Sequence, residues 1–382
     1  MNNVKKLTAL VLAAAMAASA TGCADQSWSY KAGDESLTTG SYIYNLLNGY
    51  YEAYGLVESP DEAENILEVE VTGSDEDAKT KTVEQYAYDY ADETSRRMIA
   101  VEDLFKSYGL VFDETQDQAA RNYSSQVWTT AKKTLEGYGI GEESFHYCYA
   151  DYMVKYSQVF DHLYGEDGEQ YVTNEDLKKY FTENYDGYAY FWTEMTETND
   201  EGEYVAKSDE EFKKTESQFN SYADSLNKGK DYKSVVGQYI KDYSLDSDPT
   251  FSGSLKNDDD TAIDEDVVAK IRELDEGKAA VVKTGEADTA RYYVVYKPKY
   301  SEIEDYYDDD SSFSLPVTMD DEVSIYDLKS GQTRTSLLSS MKMKDFEKYL
   351  DDHAAAINIQ KNEAAIKKYK AKMFVQDDKD TE

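Results

Sequence analysis

The sequence predicts an α+β fold, and three observations carry the prediction. Apolar and aromatic residues recur at helical spacing through residues 28–168. Short helices and strands then alternate across 169–300, in the order β-α-α-loop-α-β-β. The chain has 382 residues, of which 40% are hydrophobic and 13% aromatic, enough for more than one packed core.

The elements follow in chain order. Trp28–Tyr30, a turn at 32–35 and Ser36–Thr39 predict a strand, a turn and a helix cap. A helix is expected over 41–54, closed by Gly55, and residues 57–78 are acidic and irregular. Val83, Tyr86, Tyr90, Thr94, Met98, Val101, Phe105 and Tyr108 step by three or four and predict one long helix, stopped at Gly109. Further helices are expected over 113–136 and 142–163, the latter with a stripe of Phe145, Tyr149, Tyr152, Tyr156, Val159 and Leu163. Thr173 or Asn174 caps a short helix that Gly187 breaks, and 188–195 is the next strand. An acidic hairpin or loop at 196–207 leads to helices over 209–227 and 232–242, then to a polar loop at 244–262. A short helix at 267–274 and strands at 280–283 and 291–297 close this region. Residues 301–340 look like an acidic, Ser/Thr-rich linker. A helix at 342–353, an extended INI at 357–359 and a helix at 362–372 come last.

Charge excludes whole classes of function. With 40 Lys+Arg against 78 Asp+Glu, the net charge is -38, which repels nucleic acid and anionic headgroups. The 36 tyrosines are read first as helix-packing residues, since a tyrosine fills a core while its hydroxyl finds a partner. No HExxH, GxSxG or P-loop pattern is present, and the acidic runs lack EF-hand spacing, so neither metal nor cofactor is expected. Lys5 and Lys6 precede an apolar stretch, Leu7 to Ala18, too short to span a bilayer, and small residues 20–22 lead to Cys23. This is a secretory leader that resembles a bacterial lipobox. By that resemblance Cys23 is the lipidation site, anchoring the chain to the outer face of the cell membrane. Cys148, the other cysteine, is expected to be a buried packing residue.

Several segments then carry a resemblance to a family. "VTNEDLKKYFTENYDGYAYFW", "SLNKGKDYKSVVGQYIKDYSLDSDPTFSGSL" and "VVAKIRELDEGKAAVVKTGEADTARYYVVYK" resemble successive stretches of a parvulin-type peptidyl-prolyl isomerase domain. "YKAGDESLTTGSYIYNLL" resembles the opening of PrsA- and SurA-type foldases, and "FEKYLDDHAAAINIQKNEAAIKKYKAKMF" the returning C-terminal element of PrsA-like lipoproteins. The resemblance implies a helical SurA-like chaperone domain with a parvulin-like domain inserted. Its boundaries would be a signal peptide at 1–22, a tether at 23–27, the chaperone domain at 28–168 and the parvulin-like domain at 169–300. A linker at 301–340, a returning segment at 341–374 and a tail at 375–382 complete the division. The implied function is a foldase or chaperone for unfolded secreted proteins, with a homodimer left open.

The chain departs from the family at the chemistry. Parvulins carry a His on the first strand and another on the last; the three His here are His146, His162 and His353, none between 163 and 352. By position the first falls at Tyr190 or Phe191 and the second at Tyr293. Leu255 and Ile271 complete the candidate peptide groove. The domain is therefore degenerate by resemblance, and isomerase activity is expected to be weak or lost. A different class stays open: a surface lipoprotein that captures a peptide or glycan. A third is a scaffold for other surface proteins. Solute-binding lobes alternate βα units, which 28–165 do not.

Overall fold

The structure, a computed structural model, describes residues 27–73, 78–246, 250–256, 263–300 and 331–375. The leader, Cys23, the acidic run at 305–310 and the tail beyond 375 lie outside the described residues. The fold mixes helix and strand, and the chain divides into two units, Met1–Tyr171 with Lys344–Glu382, and Val172–Met343.

The first unit begins with β1 (Trp28–Ala32) and β2 (Glu35–Thr38), antiparallel about a turn at Gly33, whose φ of +56° suits a residue without Cβ. Thr38 caps α1 (Thr39–Gly55), its hydroxyl accepting from the Ser41 amide at 3.0 Å. After β3 (Glu70–Val71) and β4 (Lys81–Thr82) comes α2 (Val83–Ser107), opened by a reciprocal capping box between Thr82 and Gln85. α1 and α2 pack closely: a Cβ on Gly49 would lie 2.8 Å from the Tyr90 Cβ and 2.9 Å from the Ala87 carbonyl. Small residues make that approach, so the buried seam of α2 runs through Ala87, Ala91 and Ser95, and the predicted Tyr86 and Tyr90 are half-buried beside it.

α3 (Glu114–Tyr138) is capped by Asp113 and ends at Gly139, φ +91°. The helix expected over 142–163 is interrupted. α4 (Glu142–His146) passes through one π-helical turn, Tyr147–Asp151, into α5 (Tyr152–Tyr164). Cys148 is buried in that turn.

The second unit opens with α6 (Asn174–Asn184), capped by Thr173. Its sheet has the order β8-β5-β10-β9, with all pairings antiparallel. The strands are β5 (Tyr185–Glu194), β8 (Phe251–Lys256), β9 (Lys278–Thr284) and β10 (Arg291–Lys297). A short hairpin, β6 (Thr196–Thr198) with β7 (Tyr204–Ala206), follows β5. α7 (Asp209–Asn227) and α8 (Tyr232–Tyr243) cover one face of the sheet, and α9 (Glu265–Glu273) packs across β9, β10 and β5 on the other. Two expectations change here. Gly187 sits inside β5, opposite Ser254, because extended backbone suits glycine as well as any residue. Residues 251–256, expected as loop, form the edge strand β8.

Residues 331–340, expected as linker, are the start of α10 (Gly331–Ala356). Arg334 anchors this stretch, donating to the Val172 carbonyl at 2.6 Å and to Asn174 Oδ1 at 2.5 Å. Farther along, Phe346 packs on Tyr156 and Phe160 of the first unit, with ring centroids 4.8 and 5.2 Å apart. β11 (Gln360–Lys361) then pairs with β1, completing the sheet β11-β1-β2. The helix expected over 362–372 is shorter, α11 (Glu363–Ile366), followed by a 3₁₀ turn, Ala371–Phe374. Phe374 closes the unit against Tyr50 and Tyr138.

Candidate functional site: an aromatic sheet face

Successive side chains of a strand alternate between faces. Along β5, Ala189 and Phe191 enter the core beneath α7 and α8, whereas Tyr188, Tyr190 and Trp192 turn to the α9 face. On β10, Tyr293 and Val295 share the α9 face; on β9, Val282 does; on β8, Leu255 does. α9 lays Val267, Val268 and Ile271 over the middle of this surface. The structure therefore brings Tyr190, Leu255, Ile271 and Tyr293 into one cluster. Phe191 is not part of it. It is fully buried on the opposite face, stacked on Tyr239 at 4.6 Å.

The rings form a band across three strands. Tyr190 lies 5.9 Å from Tyr188, 5.3 Å from Phe251 and 5.7 Å from Tyr293. Trp192 stacks on Tyr293 at 6.1 Å. One end carries charge: the Arg291 guanidinium sits 4.8 Å over Trp192 and 3.2 Å from the Glu194 carboxylate. Phe251 at the edge strand is 51% exposed. Tyr188, Tyr190 and Trp192 are half-buried, so the band is lined by rings at its floor and open at its rim. Gly253 faces Tyr188 across the strands, and a Cβ there would lie 2.9 Å from the Tyr188 hydroxyl.

Hydrogen bonds and an ion pair flank the band. From the opposite face, Tyr239 donates to the Trp192 carbonyl at 2.7 Å. At the far end Lys297 and Asp186 make a largely buried pair at 2.6 Å, and Tyr300 donates to the Tyr185 carbonyl at 2.6 Å. Burial, reinforced by the neighbouring Tyr188 and Tyr293, pushes the Tyr190 hydroxyl up to about 12. At neutral pH it is therefore a hydrogen-bonding group, not a base. The face offers stacking surface, phenol hydroxyls and one Arg–Glu pair, and no histidine lies between 163 and 352.

Sequence reasoning missed Trp192, Tyr188, Phe251 and Arg291. Alternation along YAYFW held the first two, and Arg291 follows from the β10 register. Phe251 was hidden because its strand reads as polar loop. Another concavity, about 500 Å³, lies in the first unit and is lined by Asp34, Glu35, Asp103 and Lys106. Its Lys106 is held by Glu35 at 3.1 Å, and Ala32 and Ile357 share the lining with the charged groups. Among the described residues, no group of three or more His, Cys, Asp or Glu is placed to hold a metal ion. Among them, too, no helix is long and apolar enough to cross a membrane.

No protein-family model matches the chain, and no curated protein matches it. Among solved structures, the chain is similar to the foldase protein PrsA from Streptococcus pneumoniae, at 13% identity and a TM-score of 0.31, over 78% of this chain and 97% of that one. It is likewise similar to the foldase protein PrsA from Lactococcus lactis, at 13% identity and a TM-score of 0.31, over 92% of this chain and 100% of that one.

Proposed function

We propose that this protein is an extracytoplasmic foldase of the chaperone kind. It is held at the membrane by a lipid on Cys23, and its second unit is a parvulin-like domain that binds unfolded segments without efficient prolyl isomerisation. The observation that carries the reading is the aromatic band of Tyr190, Tyr293, Trp192 and Phe251, open at its rim. The leader and the family resemblance of the sequence support the location and the client class.

Binding extended segments needs apolar surface that makes many weak contacts and releases them. Stacked rings supply this for proline and aromatic side chains. Isomerisation asks more. The amide barrier is about 18–20 kcal/mol, and lowering it needs groups that favour the twisted imide over the planar one. Tyrosine hydroxyls that stay protonated, where the family pattern has two histidines, supply little of that. The test is titration of a permanently unfolded, reduced test protein into the soluble chain. Saturable binding, with a Kd on the order of micromolar, is expected. No binding to any unfolded chain would sink the reading. Lipidation is tested separately by metabolic labelling with a fatty acid, which Cys23→Ala should abolish.

A further inference from the structure

α3 is held to the first unit along a narrow face. Over 25 residues its buried positions are Ala120, Ser124, Trp128 and Leu135, and it packs chiefly on α4 and the π-turn. It also carries its own ends: a capping box at Asp113 and a left-handed stop at Gly139. An isolated helix is marginal in water, so its amides stay protected chiefly while it is docked. Its docking face lands on unusual chemistry. The Asp151 Oδ1 atom, on the π-turn, is buried with no hydrogen-bond partner. Native proteins seldom tolerate such an atom without a reason. His146, itself buried, meets Ser124 of α3 through Nδ1. Ser124 Oγ also lies 2.8 Å from the Ala120 carbonyl. His146 Nε2 then faces the Glu142 carboxylate at 3.6 Å.

We propose that α3 is a proton-sensitive flap, docked more tightly when Asp151 is protonated and released to uncover the Trp128–Phe145 seam when it is ionised. The charged groups that act on Asp151 are Asp117 and Arg121 from α3, His146 from α4 and Lys155 from α5. Lys155 is itself held by Glu102 of α2 at 2.8 Å. Arg121, Lys155 and His146 favour the carboxylate and Asp117 opposes it. Burial is the largest influence and holds the Asp151 carboxyl above its ordinary range. The sign follows: a raised carboxyl favours the docked state at low pH, and that contribution is lost as pH rises through its folded value. Undocking bares the Trp128 and Phe145 rings, now 5.5 Å apart in the seam.

Hydrogen–deuterium exchange of the whole chain in buffer at about pH 4, the ordinary carboxylate range, and at about pH 7 tests this. After correction for intrinsic rates, amides of α3 should be about threefold or more better protected in acid. Amides of α7 serve as the reference and should not change. In Asp151→Asn the α3 protection should be high in both buffers. A carboxyl-carbon NMR titration of the unsubstituted chain keeps the test open if that variant fails to fold. The Asp151 midpoint should coincide with the α3 transition. Unchanged α3 protection, an equal change in α7, or midpoints that do not coincide would each overturn the proposal.

Discussion

Tyr190 and Phe191 stand on opposite faces of β5, and that one-residue difference separates binding from stability. Tyr190→Ala removes a half-buried ring from the aromatic band and should weaken binding of an unfolded segment by about 1–3 kcal/mol with little change in Tm. Phe191→Ala empties a fully buried site under α7 and α8 and should cost about 3–5 kcal/mol of folding stability. Parallel titration and thermal melts separate the two. If Tyr190→Ala leaves binding intact, the band is not the docking surface. By resemblance the first histidine position falls at either Tyr190 or Phe191, and only the pleat decides which of them faces α9.

At the scale of elements, two junctions carry predictions. Asp92 on α2 ties β1 and β11 together: Tyr30 of β1 donates to it at 2.6 Å, Arg96 lies 2.6 Å away and Lys361 of β11 lies 2.8 Å away. Burial alone would raise its carboxyl, but hydrogen bonds from Lys361, Tyr30 and Arg96 bring it down to about 2. A lowered carboxylate stabilises the fold above its unfolded value near 3.8 and loses that contribution as pH falls towards about 2. The Asp92→Asn variant should lose on the order of 1–2 kcal/mol at neutral pH, and its acid unfolding should lack the component between those values. Denaturant midpoints across acid pH check it. The second junction is the α1–α2 approach. Gly49→Ala should cost about 1–3 kcal/mol, because backbone and a Cβ, not a flexible tip, occupy the space. A neutral melt would contradict the close packing.

These elements also show how far the sequence is legible. α7 and β10 fall where periodicity and β-branched or aromatic runs put them, with Gly229 at φ +84° after the helix. The π-turn at 147–151 leaves no mark on a 3.6-residue pattern, because one extra residue per turn only blurs the stripe. α10 begins in a Ser/Thr-rich stretch of poor helix propensity, fixed by the Arg334 contacts with Val172 and Asn174. β8 has glycine and serine where a strand pattern wants branched residues, and its pairing with β5 overrides that. Tyr190, Ile271 and Tyr293 come from elements of clear period, whereas Leu255 lies on β8, whose strand pattern is hidden.

For the whole molecule, charge is the dominant feature. A net charge of -38 works against the compact state by self-repulsion, while keeping an exposed aromatic band from self-association. Tm should therefore rise as salt goes from about 0.01 M to about 0.15 M, where the screening length shortens from about 30 to about 8 Å. Differential scanning fluorimetry across that range checks it, and a falling Tm would show that attractive pairs outweigh repulsion. The central claim is that this protein holds unfolded chains without efficiently turning prolyl bonds. The most direct measurement is refolding of a test protein whose slow phase is proline isomerisation, in the presence of the soluble chain. No acceleration of the slow phase is expected at catalytic amounts, and a higher refolded yield is expected at equimolar amounts. Acceleration at catalytic amounts would contradict the central claim on chemistry, and an unchanged yield at equimolar amounts would contradict it on function.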